Sequence, residues 1–272
     1  MIKILITDFD DTLYSWVDFF VPAFYEMAEE VSKIIEVPME QLLYEYKEVH
    51  QLHRNVEYPY STLNLPSVKS FFGNKSVEFI KNELNPAFHK FNSVRKHHLN
   101  LFGGVKETLK IIKESGIKVV GYTESAEENG VYRVKKLGIE KLFDRIYVSK
   151  SKYSNGFKKI NDNIFYVETK KPNPTVLERI CSDMGYNVSE AIYIGDSFTK
   201  DIYMANEAHI CSVWYKQKVD NELYRKLVDI SHWTEEDFKT EKILKEKCIK
   251  EKICADYEIE NFSELISIIF KL

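Results

Sequence analysis

Ile2-Lys3-Ile4-Leu5-Ile6-Thr7-Asp8-Phe9-Asp10-Asp11-Thr12-Leu13 is the stretch whose reading decides the fold. Ile2 to Thr7 is apolar and β-branched, which predicts a buried strand. Acids follow the strand at once. From Gly103 onward the same kind of strand alternates with helical periodicity. Helices are predicted over Val105 to Glu114, Glu127 to Leu137, Asn173 to Met184 and Thr199 to Ala208. Strands are predicted over Ile117 to Tyr122, Phe143 to Val148, Ala191 to Ile194 and Ile210 to Trp214. Alternation of this kind implies an α/β fold, a parallel sheet with helices on both faces. The strand Ile2 to Thr7 belongs to that sheet.

Between them the pattern changes. Val17 to Ile35 and Met39 to His53 carry helical apolar spacing, and no convincing strand follows before Leu99. Glycine is nearly absent there, and Pro22, Pro38, Pro59, Pro66 and Pro86 punctuate the stretch. The expected organisation is an α/β core made of residues 1–15 and 100–272, with an all-helical insertion over 16–99. Two stretches fit less well. Ser151 to Lys170 contains Gly156 and the strand-like Ile164-Phe165-Tyr166-Val167, and reads as a hairpin excursion. Thr234 to Lys252 reads as a charged surface helix.

Bulk properties narrow the class. The 272 residues are 44% hydrophobic, enough for one sizeable core and a smaller second domain. The net charge of -4 gives no basic excess, so no nucleic-acid partner is expected. No apolar stretch is long enough to span a bilayer, so no membrane partner is expected either. The four cysteines form no zinc or redox motif, and no signal peptide is apparent; a cytoplasmic location is expected. The oligomeric state leaves no mark on the sequence.

Four features fall just beyond predicted strands or at a helix start. They are Asp8-x-Asp10-x-Thr12, Thr123, Lys171 within Lys170-Lys171-Pro172-Asn173-Pro174, and Gly195-Asp196 followed by Asp201. Open parallel sheets place ligands at the carboxyl ends of their strands, so these residues can converge. Their chemistry suits phosphoryl transfer. A phosphate ester repels an anionic carboxylate, and Mg2+ held by oxygen ligands would offset that repulsion. Asp8 and Asp196 can supply carboxylate oxygens, and the Asp10 main-chain carbonyl a third. Asp8 is then the candidate nucleophile. Asp10 is placed to act as acid and then base. Thr123 and Lys171 would serve the phosphoryl oxygens, and Asp201 would support the metal site from behind.

The ordered set resembles the haloacid dehalogenase superfamily. Asp8-Phe9-Asp10-Asp11-Thr12-Leu13 is similar to its first motif and Thr123 to its second. Lys171-Pro172-x-Pro174 is similar to the third, and Gly195-Asp196-Ser197-x-x-x-Asp201 to the fourth. The resemblance covers residues 1–15, roughly 100–215, and the closing Ala255 to Leu265. It implies a Rossmann-like core with a helical cap inserted after the first motif. It also implies a hydrolase of phosphatase type, with catalytic Asp8, Asp10, Thr123 and Lys171, magnesium on Asp8, Asp10 and Asp196, and Thr12, Ser197 and Asp201 around them.

Some positions depart from the pattern. Glu124 follows Thr123 where the family often has Asn or Gly; its carboxylate either repels phosphate or points into solvent. Lys150 competes with Lys171 for the lysine role, but only Lys171 has the Lys-Pro-x-Pro context. Within the cap, His53 and Arg54 are candidates for contacting the remote end of a substrate. Their alternative is to complement the dipole at an ordinary helix C-terminus. The expected activity is hydrolysis of a small phosphorylated metabolite through an aspartyl-phosphate. A phosphomutase with the same nucleophile is the nearest alternative, and a non-catalytic binding or regulatory protein on the same scaffold is the alternative from another class.

Overall fold

The computed structural model describes residues 1–58, 61–150, 162–218 and 220–272. Seven strands form one sheet: β1 (Ile4–Thr7), β2 (Lys118–Ala126), β3 (Arg145–Ser149), β4 (Ile164–Val167), β5 (Ala191–Gly195), β6 (Cys211–Tyr215) and β7 (Tyr257–Ile259). Their order across the sheet is β4-β3-β2-β1-β5-β6-β7, and every pairing is parallel. β1 lies in the middle, as its unbroken apolar run requires, and Ile4, Leu5 and Ile6 are fully buried. The expected parallel α/β sheet is therefore present.

Two details differ from the sequence reading. Ile164–Val167 is not one arm of a hairpin. It pairs parallel to β3 with Ile146 opposite Ile164, and adds a strand at the sheet edge. Residues 151–161 of the expected excursion lie outside the described residues. At the other edge, Tyr257–Ile259 pairs with β6.

The chain divides into two compact units. One comprises Met1–Ser15, Asn100–Lys218 and Ile243–Leu272, and holds the sheet. The other comprises Trp16–Leu99 and residues 219–242. Its described elements are all helical, among them Trp16–Ile35, Met39–His53, Asn85–His98 and Asn221–Ile230. The sequence reading had left residues 219–242 with the core. Side-chain chemistry explains their place. His50 donates from Nδ1 to the Ile230 carbonyl at 2.6 Å, Gln51 donates to the Trp233 carbonyl at 2.9 Å, and Arg54 pairs with Asp237. Among the described residues no helix is long and apolar enough to cross a membrane.

Candidate active site

The register of the sheet gathers the motif residues. Thr7 lies opposite Gly121 of β2 and Ile194 of β5. Asp8 is one residue past Thr7, while Thr123 and Asp196 are two past their partners, so all three emerge at the carboxyl end of the sheet. The Asp8 N–H still donates to the Ile194 carbonyl at 3.0 Å, which extends β1 by one step. The chain then turns sharply: Leu13 N–H returns to the Phe9 carbonyl at 2.8 Å, and Asp11 takes a positive φ of 56°. Aspartate tolerates that left-handed conformation better than most residues. Between the two acids, the buried Phe9 ring lies so close to Gly121 that a Cβ there would come within 2.3 Å of it.

Lys171 is the centre of the first cluster. It is 8% exposed, and its Nζ donates to Asp8 Oδ1 at 2.5 Å and to Asp201 Oδ1 at 2.9 Å. The Tyr122 and Tyr193 rings also face the ammonium, with centroids at 4.9 and 5.7 Å. Asp201 is almost completely enclosed. Tyr193 Oη donates to its Oδ1 at 2.7 Å and the Ser197 N–H to its Oδ2 at 3.0 Å. It sits on a π-helical turn, Phe198–Ile202, where the Ser197 carbonyl accepts from both Asp201 and Ile202. Such single-turn insertions are frequent at functional sites. Gly195 makes room for this arrangement, since a Cβ there would lie 2.4 Å from Asp201 Cγ.

Charge in this cluster is unbalanced. Carboxylate oxygens of Asp8, Asp196 and Asp201 lie within 4.8 Å of one another, a grouping that could hold a metal ion. Three carboxylates and one ammonium leave two negative charges uncompensated. Burial, reinforced by the neighbouring carboxylates, pushes the Asp8 and Asp196 carboxyls well above the usual aspartate range. Burial works against the Lys171 ammonium, but Asp201 and Asp8 outweigh it and hold its pKa well above the usual lysine value. An all-oxygen donor set with two surplus negative charges fits a hard divalent cation. Both Asp201 oxygens are already engaged by Lys171, Tyr193 and Ser197. Asp8 and Asp196 are therefore the better side-chain donors, with Asp201 as the anchor behind them.

A second cluster surrounds Asp10. Arg133 Nη1 donates to Asp10 Oδ1 at 2.8 Å and to Ser125 Oγ at 2.9 Å. Ser125 Oγ donates to Asp10 Oδ2 at 2.7 Å, and Thr123 Oγ1 reaches the same oxygen at 3.3 Å. Thr123 is thus in the site and points at the acid. The sequence reading missed Arg133 and Ser125. Ser125 had a signal, because residues two apart on a strand share a face and Thr123 was already singled out. Arg133 had none; in the last turn of Glu127–Lys136 it reads as an ordinary complement to the helix dipole.

The remaining candidates are placed as follows. Thr12 is fully buried in the turn after β1, and its hydroxyl has no hydrogen-bond partner among the described residues. Ser197 opens the π-helical turn, its Oγ accepting from the Lys200 N–H at 3.3 Å. Glu124 neither stands alone nor points away: it accepts from the Lys171 N–H at 3.1 Å and lies 3.6 Å from Lys200 Nζ. Lys150 is exposed just after β3, whereas Lys171 is the lysine bonded to Asp8. His53 and Arg54 belong to the helical unit. His53 stacks on Tyr58 at 3.7 Å, and Arg54, at the left-handed end of its helix, makes a two-point pair with Asp237.

The family model described as haloacid dehalogenase-like hydrolase matches residues 5–215, well over half of the sequence. This chain belongs to that family. The hydrolase is 24% identical, over 78% of its own length and 83% of the relative's, to a glyceraldehyde 3-phosphate phosphatase of Methanopyrus kandleri. It is 30% identical to the pyrophosphatase PpaX of Halalkalibacterium halodurans over 42% of its own length and 47% of that protein's. Among solved structures, it superposes on a HAD phosphatase from Thermococcus onnurineus with a TM-score of 0.56 at 16% identity, covering 98% of each chain. At that identity the likeness speaks for the fold alone.

Proposed function

We propose that this hydrolase is a magnesium-dependent phosphatase acting on a small phosphorylated metabolite through an aspartyl-phosphate on Asp8. The observation that carries the reading is the buried Lys171 ammonium bridging Asp8 and Asp201, beside a third carboxylate, Asp196. Such a site is built for a divalent cation and for an anion that arrives with it. The two relatives named phosphatases support the same reaction class.

In this reading Asp8, Asp196 and the main-chain carbonyl of Asp10 hold the magnesium. When bound, the ion screens carboxylate from phosphate and draws charge from the phosphoryl oxygens. Asp8 attacks phosphorus with one carboxylate oxygen, and the bond from phosphorus to the leaving oxygen breaks. That oxygen takes its proton from Asp10. Water then attacks the same phosphorus and gives a proton to Asp10, while the bond between phosphorus and Asp8 breaks and restores the carboxylate. Lys171 fixes the orientation of Asp8 and adds positive charge beside it. Thr123, whose hydroxyl donates to Asp10 Oδ2 at 3.3 Å without substrate, turns that hydroxyl to the phosphoryl oxygens when substrate is bound. The helical unit is the cap in this scheme, and substrate selection resides there, with His53 and Arg54 as candidates. Four free cysteines support a reducing, cytoplasmic setting.

The test is phosphate release from p-nitrophenyl phosphate. Magnesium should support it and a chelator should abolish it. Asp8→Asn should remove turnover with the fold intact, as judged by circular dichroism. Full activity in that variant would overturn the mechanism.

A further inference from the structure

The Asp10 carboxylate is held by more than an acid-base role needs. Both of its oxygens are occupied, Oδ1 by Arg133 and Oδ2 by Ser125 and Thr123. Arg133 is 3% exposed, so its guanidinium has been taken out of water to make this contact. Burying an arginine is costly unless its partners are fixed, and here one nitrogen serves both Asp10 and Ser125. Helix Glu127–Lys136 follows β2 directly, so the strand that supplies Thr123 and Ser125 also leads into the helix that supplies Arg133. Gly130 keeps that helix close: a Cβ there would lie 3.2 Å from Thr123 Cγ2. The bracket is therefore one continuous piece of chain.

We propose that Arg133 and Ser125 form a positioning bracket that sets the orientation of Asp10 for proton transfer, acting on the hydrolysis of the aspartyl-phosphate more than on its formation. The inference rests on the proposed reaction, in which Asp10 is the acid and then the base. The two half-reactions depend on it unequally when the leaving group is a nitrophenolate, which departs without a proton. Formation of the phosphoenzyme then needs little from Asp10, whose unused proton passes to solvent, whereas hydrolysis still needs the ionised Asp10 to receive a proton from the attacking water. General acid-base groups contribute about 10²- to 10⁴-fold, and a misplaced one forfeits part of that.

The experiment is rapid-mixing kinetics of full-length Arg133→Gln and Ser125→Ala with p-nitrophenyl phosphate and magnesium. The expected result for Arg133→Gln is a burst of about one equivalent of nitrophenolate, then a steady rate lower by about 10- to 100-fold. Phosphoenzyme should accumulate in acid-quenched samples. Ser125→Ala, which removes one hydroxyl and no buried charge, should show a smaller loss of the same kind and serves if Arg133→Gln does not fold. Arg133→Lys should recover part of the steady rate. A purely structural role would lower burst and steady rate together, and that outcome, or unchanged kinetics, would overturn the bracket alone. No turnover by the unaltered protein would instead defeat the phosphatase reading, and the bracket with it.

Discussion

Gly195→Ala adds one methyl group at the end of β5. The new Cβ would lie 2.4 Å from Asp201 Cγ, 2.5 Å from Oδ2 and 2.6 Å from Cβ, where ordinary contacts begin at 3.4 Å. Asp201 must therefore move by about 1 Å, yet it is 1% exposed and bonded to Lys171, Tyr193 and Ser197. Crowding of this kind costs about 1–3 kcal/mol, and one lost hydrogen bond to a charged group about 1.5–3 kcal/mol. The expected destabilisation is about 3–5 kcal/mol. Lys171 would shift with Asp201, and misplacement by 1 Å can lower turnover by about 10²-fold. Urea unfolding gives the first number and steady-state kinetics the second. Gly103→Ala is the matched control, because a Cβ there meets nothing within 4 Å. It should change stability by less than about 0.5 kcal/mol. Equal stability and turnover in the two variants would refute the claim that Asp201 is the anchor of the site.

Two further outcomes follow from other parts of the molecule. His50 is fully buried in the helical unit, and burial lowers its pKa to about 4 from 6.5. The unfolded chain therefore binds a proton that the folded chain refuses as pH falls below 6.5, so stability is complete above that pH and is lost toward pH 4. The slope is about 1.4 kcal/mol per pH unit and the full loss about 3 kcal/mol; unfolding at pH 7 and 5.5 should show it in the wild type and not in His50→Gln, and equal slopes would contradict it. Trp214 Nε1 donates to the Asp196 carbonyl at 2.7 Å. With Trp16 and Trp233 replaced by Phe, magnesium should change Trp214 fluorescence saturably, and Asp196→Asn should abolish the change; a response kept in full by Asp196→Asn would remove Asp196 from the metal site.

Much of the core was legible because local patterns carried it. The apolar run before Asp8 and the punctuated apolar strands before Thr123 and Asp196 gave the sheet and the converging residues. The same patterns say nothing about partners far along the chain. Ile164–Val167 reads as a strand, but its parallel pairing with Ile146 onward is a tertiary fact. Residues 219–242 join the helical unit through contacts to Tyr25, His50, Gln51 and Arg54, each about 180 or more positions away. Arg133 meets Asp10 across 123 positions. A buried ion pair of that span has no local signature in a helix whose end also carries Lys135 and Lys136.

The central claim is that Asp8 carries the phosphoryl group between two half-reactions. The direct measurement is mass spectrometry of enzyme quenched in acid during turnover, followed by peptide mapping. The account predicts one added phosphoryl group, sensitive to hydroxylamine, on the peptide containing Asp8, more abundant in Arg133→Gln and absent from Asp8→Asn. A phosphoryl group on any other residue, or turnover by Asp8→Asn at the wild-type rate, would contradict it.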